Sequence, residues 1–292
     1  MQCAEAVQTA ICNATGSPFS INRIRQTGGG CISQTWILEG CGKRYFVKTH
    51  SSCHADMFVA ETEGLLELES AQALRVPHPL AHGEGQGQAY LVLEYLVLGG
   101  PQNWSAMAQG LARLHAVTSA HFGWKRNNTI GSTPQINTWT AGWIEFLRKH
   151  RLGFQFELAA RNNISIRLNE LGDELLARLD VFFQGYRPSP SLLHGDLWSG
   201  NAAFTCAGEP VIFDPAVYFG DREADLAMTE LFGGFGGTFL DAYRESWPPD
   251  SGYGIRKNLY NLYHILNHAN LFGGGYIRQA ETMTSRLLSE AG

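Results

Sequence analysis

The chain has 292 residues, 44% of them hydrophobic, and a formal net charge of -5 with its histidines neutral. This size supports a packed core and predicts two lobes rather than one. A mildly acidic balance speaks against nucleic acid as a partner, since such a binder normally carries a basic face. Residues 1–16 lack the basic start and long apolar core of a secretory signal, and no run approaches the roughly eighteen apolar residues of a membrane span. A cytoplasmic protein with no membrane partner is therefore expected. The six cysteines, Cys3, Cys12, Cys31, Cys41, Cys53 and Cys206, form no CxxC pair, and reduced thiols are the expectation.

In chain order, residues 3–15 predict a short amphipathic helix closed by Gly16, with Ser17-Pro18 preventing continuation. Three strand-like runs follow, over 21–27, 33–39 and 44–49. The glycine turns Gly28-Gly29-Gly30 and Gly40-Cys41-Gly42 separate them, which predicts an antiparallel meander. Helical periodicity covers 57–70. Val76-Pro77-His78-Pro79 interrupts any helix, and 89–96 is a strongly apolar strand. A linker at Leu98-Gly99-Gly100-Pro101 precedes mostly helical patterns over 104–118, 139–150, 166–184, 221–231, 253–272 and 276–288. The expected architecture is α+β and bilobal: a small antiparallel-sheet lobe over 1–97 for nucleotide, and a larger helical lobe over 98–292 for catalysis and substrate.

The stretch His194-Gly195-Asp196-Leu197-Trp198-Ser199-Gly200-Asn201, followed by Val211-Ile212-Phe213-Asp214-Pro215, carries the most chemistry. Asp196 and Asn201 are spaced as in a kinase catalytic loop, where the carboxylate accepts a hydroxyl proton and the amide holds magnesium. Asp214 follows an apolar run, at a strand end where a second metal ligand belongs. Magnesium takes hard oxygens, usually one or two carboxylates with substrate phosphates. The combination predicts phosphoryl transfer from a nucleotide.

Upstream, Gly28-Gly29-Gly30 is read as a phosphate-closing turn, with the Ser33 hydroxyl beyond it; a glycine turn between strands also serves as a plain hairpin. Lys48 ends an apolar strand and Glu61 lies on the next helix, with Glu63 a competing partner. A strand lysine oriented by a helix glutamate contacts nucleotide phosphates in kinases. Backbone groups of Glu94 and Leu96 are candidates for the adenine edge.

These residues resemble fructosamine-3-kinase and the related ketosamine-3-kinases. The resemblance is carried by Gly29 to Ser33, Phe46-Val47-Lys48, Met57 to Glu61, the His194–Asn201 stretch, Phe213-Asp214-Pro215-Ala216, Met228 to Phe235, and Tyr263 to His268. It implies a protein-kinase-like fold and ATP- and magnesium-dependent phosphorylation of the sugar 3-hydroxyl of a ketoamine, small or protein-bound, after which the phosphate eliminates and frees the amine. Asp196 would be the base, Asn201 and Asp214 the metal ligands, and Lys48 a phosphate contact. Trp198 stands where protein kinases carry lysine, which suits stacking on a sugar. Asn267 and His268 are further substrate candidates. The alternatives are a phosphotransferase of the aminoglycoside-kinase type and a catalytically silent nucleotide-binding scaffold. The stretch 255–278 has no Asp or Glu, which favours a neutral polyol over a polycation.

The remaining candidates have plainer readings. His115 is expected to be a satisfied core histidine. Asp225 resembles the helix aspartate that braces the catalytic loop in kinase-like folds, which implies a structural role. His264 and His268, one turn apart, lack the third ligand that zinc would need. Cys31, on the expected phosphate loop, is the one thiol with a case for redox control.

Overall fold

The computed structural model describes residues 1–28 and 32–292. Gly29, Gly30 and Cys31 lie outside the described residues, along with the phosphate-loop and thiol expectations placed on them. The chain divides into two compact units, Met1–Asn103 with Ala203–Pro215, and Trp104–Ala202 with Ala216–Gly292. The boundary expected at residue 97 was a single cut; here a later segment rejoins the first unit.

In order, the elements are α1 (Ala4–Thr15), β1 (Arg23–Thr27), β2 (Gln34–Gly40), β3 (Lys43–Ser51), α2 (Ala55–Ser70), β4 (Pro79–Gly85), β5 (Gln88–Glu94) and α3 (Trp104–His115). Next come β6 (Asn128–Ile130), β7 (Thr133–Gln135), α4 (Trp143–Phe146), α5 (Gly153–Arg161) and α6 (Ile166–Ala177). The short strands β8 (Ser191–Leu193), β9 (Ala202–Phe204), β10 (Pro210–Ile212) and β11 (Tyr218–Gly220) follow. The chain ends with α7 (Glu223–Leu231), α8 (Gly237–Ser246), α9 (Tyr253–Phe272) and α10 (Gly275–Glu290).

The first unit is built on an antiparallel five-stranded sheet ordered β1-β2-β3-β5-β4. Helix α1 buries Val7 and Ile11, one turn apart, in a cluster with Leu38, Val47 and Val92 of the sheet. It stops at Gly16, whose φ of +62° is the left-handed cap that glycine takes without penalty. Strand β4 was not anticipated, because Pro77 and Pro79 read as breakers. Pro79 opens an edge strand, where a missing N–H costs little. The returning segment is tied down by backbone bonds: Ile212 N–H to Arg75 O at 3.0 Å, Gly99 N–H to Phe204 O at 2.9 Å, and Cys206 N–H to Val97 O at 3.1 Å.

The second unit is mainly helical. Its central element is α9, buried over most of its circumference from Leu259 to Asn267 and packed on α5, α7 and α10. The helix expected over 139–150 begins only at Trp143 and then widens into a π-helical turn over Leu147–Leu152. At its exit Gly153 N–H donates to Arg148 O, and a Cβ there would lie 2.2 Å from that oxygen. The helix expected over 166–184 ends at Ala177, followed by a 3-10 turn over Leu179–Phe183. Helix α8 was not anticipated.

Within the π turn, Arg151 is 1% exposed. Its guanidinium donates to Ile136 O at 2.7 Å, His150 O at 3.0 Å and Asn137 Oδ1 at 2.7 Å. It also lies 3.9 Å from the centroid of the Tyr218 ring. The bonds continue from Asn137 to Asn128, from Gln135 to Asn128, and from Gln135 to Ala216 O. A buried cation met by carbonyls and ring faces leaves several acceptors unpaired when it is removed. Arg151→Met is therefore expected to lose about 3 kcal/mol or more, measured by urea unfolding with the slope unchanged.

Candidate active site

The first unit carries a three-membered charge cluster. Lys48 on β3 lies between Thr35 of β2 and Leu91 of β5 in the sheet register and is 6% exposed. Its ammonium sits 2.5 Å from Glu61 Oε1 on α2 and 2.6 Å from Asp214 Oδ1. Of the two helix carboxylates considered, Glu61 is the one beside Lys48. Burial pushes the lysine down, but Asp214 and Glu61 outweigh it, so its pKa is held above the ordinary lysine value. Burial raises the Glu61 pKa, because one shared ammonium cannot compensate two carboxylates fully. Asp214 follows β10 with φ +57°, an uncommon conformation for a residue with a side chain, and its side chain is 46% exposed.

The other nucleotide expectations fare unevenly. Gly28 is exposed, and Ser33 is half-buried in the bend before β2. The Glu94 N–H donates to His78 O at 2.9 Å, while its carboxylate bonds Arg75. The Glu94 N–H is therefore already engaged within the first unit. Leu96 is half-buried just beyond β5.

The second unit carries the catalytic-loop motif. Asp196 follows β8 after His194 and Gly195, and Gly195 has φ +83°. A Cβ on Gly195 would stand 2.0 Å from Ala216 O, so only glycine lets the two segments meet. Asn201 Nδ2 donates to Asp196 O at 2.9 Å and to Asp196 Oδ2 at 3.2 Å, and Trp198 N–H closes a turn on Asp196 O at 3.1 Å. The loop is anchored by Asp225 of α7. Its carboxylate accepts the His194 N–H at 2.8 Å and the Gly195 N–H at 2.9 Å, and lies 3.2 Å from His115 Nε2. Burial alone would raise the Asp225 pKa, but the bonds from His115 and the loop hold it below the ordinary carboxylate value. His115 is fully buried, with its other nitrogen 2.7 Å from the Tyr243 hydroxyl.

The substrate candidates separate. Trp198 is 39% exposed, and its ring lies over Gly200, where a Cβ would fall 2.3 Å from the indole. His268 is half-buried and 5.3 Å from the Phe232 ring. Asn267, by contrast, is 3% exposed and its amide is spent on Gln155 and Ile130 O. Asn267 is thus packed inside α9 with both ends of its amide bonded. Sequence reasoning missed His264 as a neighbour of Asp196: its Nδ1 lies 3.9 Å from Asp196 Oδ1. Burial, then His268, brings the His264 pKa down to about 3, so a neutral imidazole faces the carboxylate. Only its helical spacing from His268 was visible in the sequence.

A sheet unit bearing a buried lysine–glutamate pair, with a helical unit bearing an Asp/Asn loop, defines the class of kinase-like phosphotransferases. The family model for fructosamine kinase matches residues 3–290, and the chain belongs to that family. It is 47% identical over 289 residues to a probable ketoamine kinase of Synechocystis sp., covering 97% of this chain and 96% of that protein. It is 42% identical to a chloroplastic protein-ribulosamine 3-kinase of Arabidopsis thaliana, covering 89% and 81%. A crystal structure from Haemophilus somnus named for a fructosamine-3-kinase superposes with a TM-score of 0.90 at 25% identity, over 97% and 96% of the two chains. An aminoglycoside phosphotransferase in complex with ADP and hygromycin B shares the fold, with a TM-score of 0.66 at 17% identity over 98% and 99%. No helix among the described residues is long and apolar enough to cross a membrane.

Because Asp225 is held below the ordinary carboxylate value, its contribution to stability is present above its unfolded pKa and is lost as pH falls through the folded value. Asp225→Asn is expected to destabilise the protein by about 2–4 kcal/mol at pH 7. The gap to wild type should narrow below about pH 4, where the carboxylate of the unfolded chain binds a proton while the folded one is still ionised. Urea unfolding of both proteins across pH 3–8 measures this.

Proposed function

We propose that this protein transfers the γ-phosphoryl group of ATP to the 3-hydroxyl of the sugar in a ketosamine, as its membership of the fructosamine kinase family and its ketoamine-kinase relatives support. The observation that carries the reading is the setting of Asp196: a carboxylate held by Asn201 on a loop braced by Asp225, with an exposed indole two residues away. In the reaction, Asp196 accepts the proton of the sugar hydroxyl as that oxygen bonds to the γ-phosphorus. The bond to the β–γ bridging oxygen breaks, and ADP leaves with those electrons. The resulting 3-phosphate then loses inorganic phosphate by elimination, and hydrolysis of the remaining adduct frees the amine; a cytoplasmic setting belongs to the same reading.

The half-exposed Asp214 carboxylate and the Asn201 amide oxygen are hard donors of the kind magnesium takes alongside phosphates. Either residue could serve as a magnesium ligand, and bound magnesium would offset charge on the transferring group. Lys48, fixed by Glu61, supplies a permanent cation to the nucleotide phosphates. The neutral His264 places no full positive charge beside the Asp196 carboxylate. Trp198 offers a planar apolar face for the C–H side of the sugar, orienting the hydroxyl toward Asp196.

Two outcomes test this reading. Asp196→Asn should lower turnover on the best ketoamine by about 10²-fold or more with little change in the KM for ATP, since general-base catalysis is typically worth about 10²–10⁴. In a panel of acceptors, ribulose- and fructose-linked lysine should be phosphorylated to a product that loses phosphate on warming. Kanamycin-like aminoglycosides and protein serines should not. Phosphorylation of an aminoglycoside with none of any ketoamine would reverse the assignment.

A further inference from the structure

Trp198 is the start of a longer aromatic strip within the second unit. Its ring centroid lies 6.2 Å from that of Phe232, which is 5.3 Å from His268. His268 is in turn 5.6 Å from Phe272 and 4.9 Å from Tyr276. Three of these rings are open to solvent: Trp198 at 39%, Phe232 at 40% and Phe272 at 54%. Core packing therefore does not account for them, and a single stacked sugar occupies one ring face. The proposed function leaves Phe232, Phe272 and Tyr276 without a task.

The backbone presents this strip by means that cost conformational freedom. Phe232 caps the end of α7 and is followed by Gly233 and Gly234, with φ +73° and +97°. A Cβ on Gly234 would lie 2.3 Å from the Ser199 Cβ, so the turn carrying Phe232 is seated directly on the catalytic loop. Phe272 and Tyr276 flank Gly273 and Gly274, with φ +64° and +61°, at the corner joining α9 to α10. Three separate chain corners thus deliver aromatic rings in one continuous line that begins two residues from Asp196.

We propose that this strip receives the amine side of the substrate: the alkyl chain and neighbouring backbone of a lysine within a polypeptide, whose sugar is stacked on Trp198. The inference rests on the ketosamine-kinase reading above and adds the carrier. A ketoamine has a sugar end and an amine end, and a surface continuous with the sugar's ring must meet the amine substituent. The lysine stem is apolar, and its ketoamine nitrogen is cationic near neutral pH. Ring faces attract both, through apolar contact and cation–π attraction. The absence of Asp and Glu from 255–278 means that α9 offers no carboxylate for the nitrogen, so the rings carry that recognition. The peptide backbone beyond the stem would lie along Phe272 and Tyr276, an arrangement a free small amine cannot use.

The experiment measures KM and kcat for three substrates carrying the same ribulose: on methylamine, on a lysine blocked at both ends, and on a lysine within a short peptide. The proteins compared are wild type, Phe232→Ala, Phe272→Ala and Tyr276→Leu, each checked for an unchanged melting curve. For wild type, KM should fall from methylamine to blocked lysine to peptide. In Phe272→Ala and Tyr276→Leu the ratio of peptide KM to methylamine KM should rise by about five- to tenfold, with kcat preserved. In Phe232→Ala the lysine derivative should be affected as well. Equal changes on all three substrates, or none, in variants that melt normally would overturn the strip as the amine subsite. Absence of turnover on every ketoamine by the wild type would instead overturn the functional reading itself, and this inference with it.

Discussion

The second unit depends on one carboxylate. Asp225 accepts two successive backbone N–H groups, those of His194 and Gly195, and faces His115. Two adjacent amides can point to one side only when the chain bends sharply, which Gly195 permits and Ala216 requires by its closeness. The loop beyond then has little freedom: the Trp198 N–H and the Asn201 amide both donate to Asp196 O, which draws the three residues into one short turn. A buried anion is costly unless several donors meet it. Here the donors belong to the element that must be held, so the electrostatic cost and the positioning are the same interaction.

A second layer of polar groups extends the same logic outward. The Arg151 guanidinium, Asn137, Asn128 and Gln135 bond in series and end on the backbone oxygens of Ala216 and Val217. Ala216 N–H donates in turn to His194 O at 2.8 Å. The segment from Ala216 is therefore fixed on one side by a buried amide network and on the other by the loop. In the first unit the arrangement is different in kind, with one ammonium shared between two carboxylates.

Much of this was readable from residue order because it is local. Lys48 in an apolar strand and Glu61 on the following helix are local features, and their pairing was legible through its likeness to the lysine–glutamate pair of kinases. Asp225 was legible through its likeness to the helix aspartate that braces the loop in kinase-like folds. Elements set by long-range packing were not. Strand β4 is stabilised by its neighbour β5 and not by its own composition, which its prolines disguise. The π turn at 147–152 depends on burying Arg151 against the rings of Tyr218 and Tyr263, which come from distant segments. Helix α8 opens in glycines that hide its periodicity. Asn267 and His268 are adjacent in sequence, yet one turns into the core and the other toward Phe232, a distinction of about 100° around a helix that no spacing reveals. His264 beside Asp196 is likewise a tertiary fact.

The return of Ala203–Pro215 to the first unit has a consequence for synthesis. The charge cluster at Lys48 needs Asp214, and β10 reaches Arg75 only after the chain has left that unit and made roughly a hundred residues elsewhere. On a ribosome that builds N-terminal segments first, the sheet can form early, but its unit stays unfinished until most of the protein has emerged. Contacts so distant in sequence close slowly, because loop entropy is lost before they reward it. A fragment ending near Asn103 would thus be an incomplete unit with a buried lysine short of one partner, and nucleotide-binding competence arrives late in the life of the nascent chain.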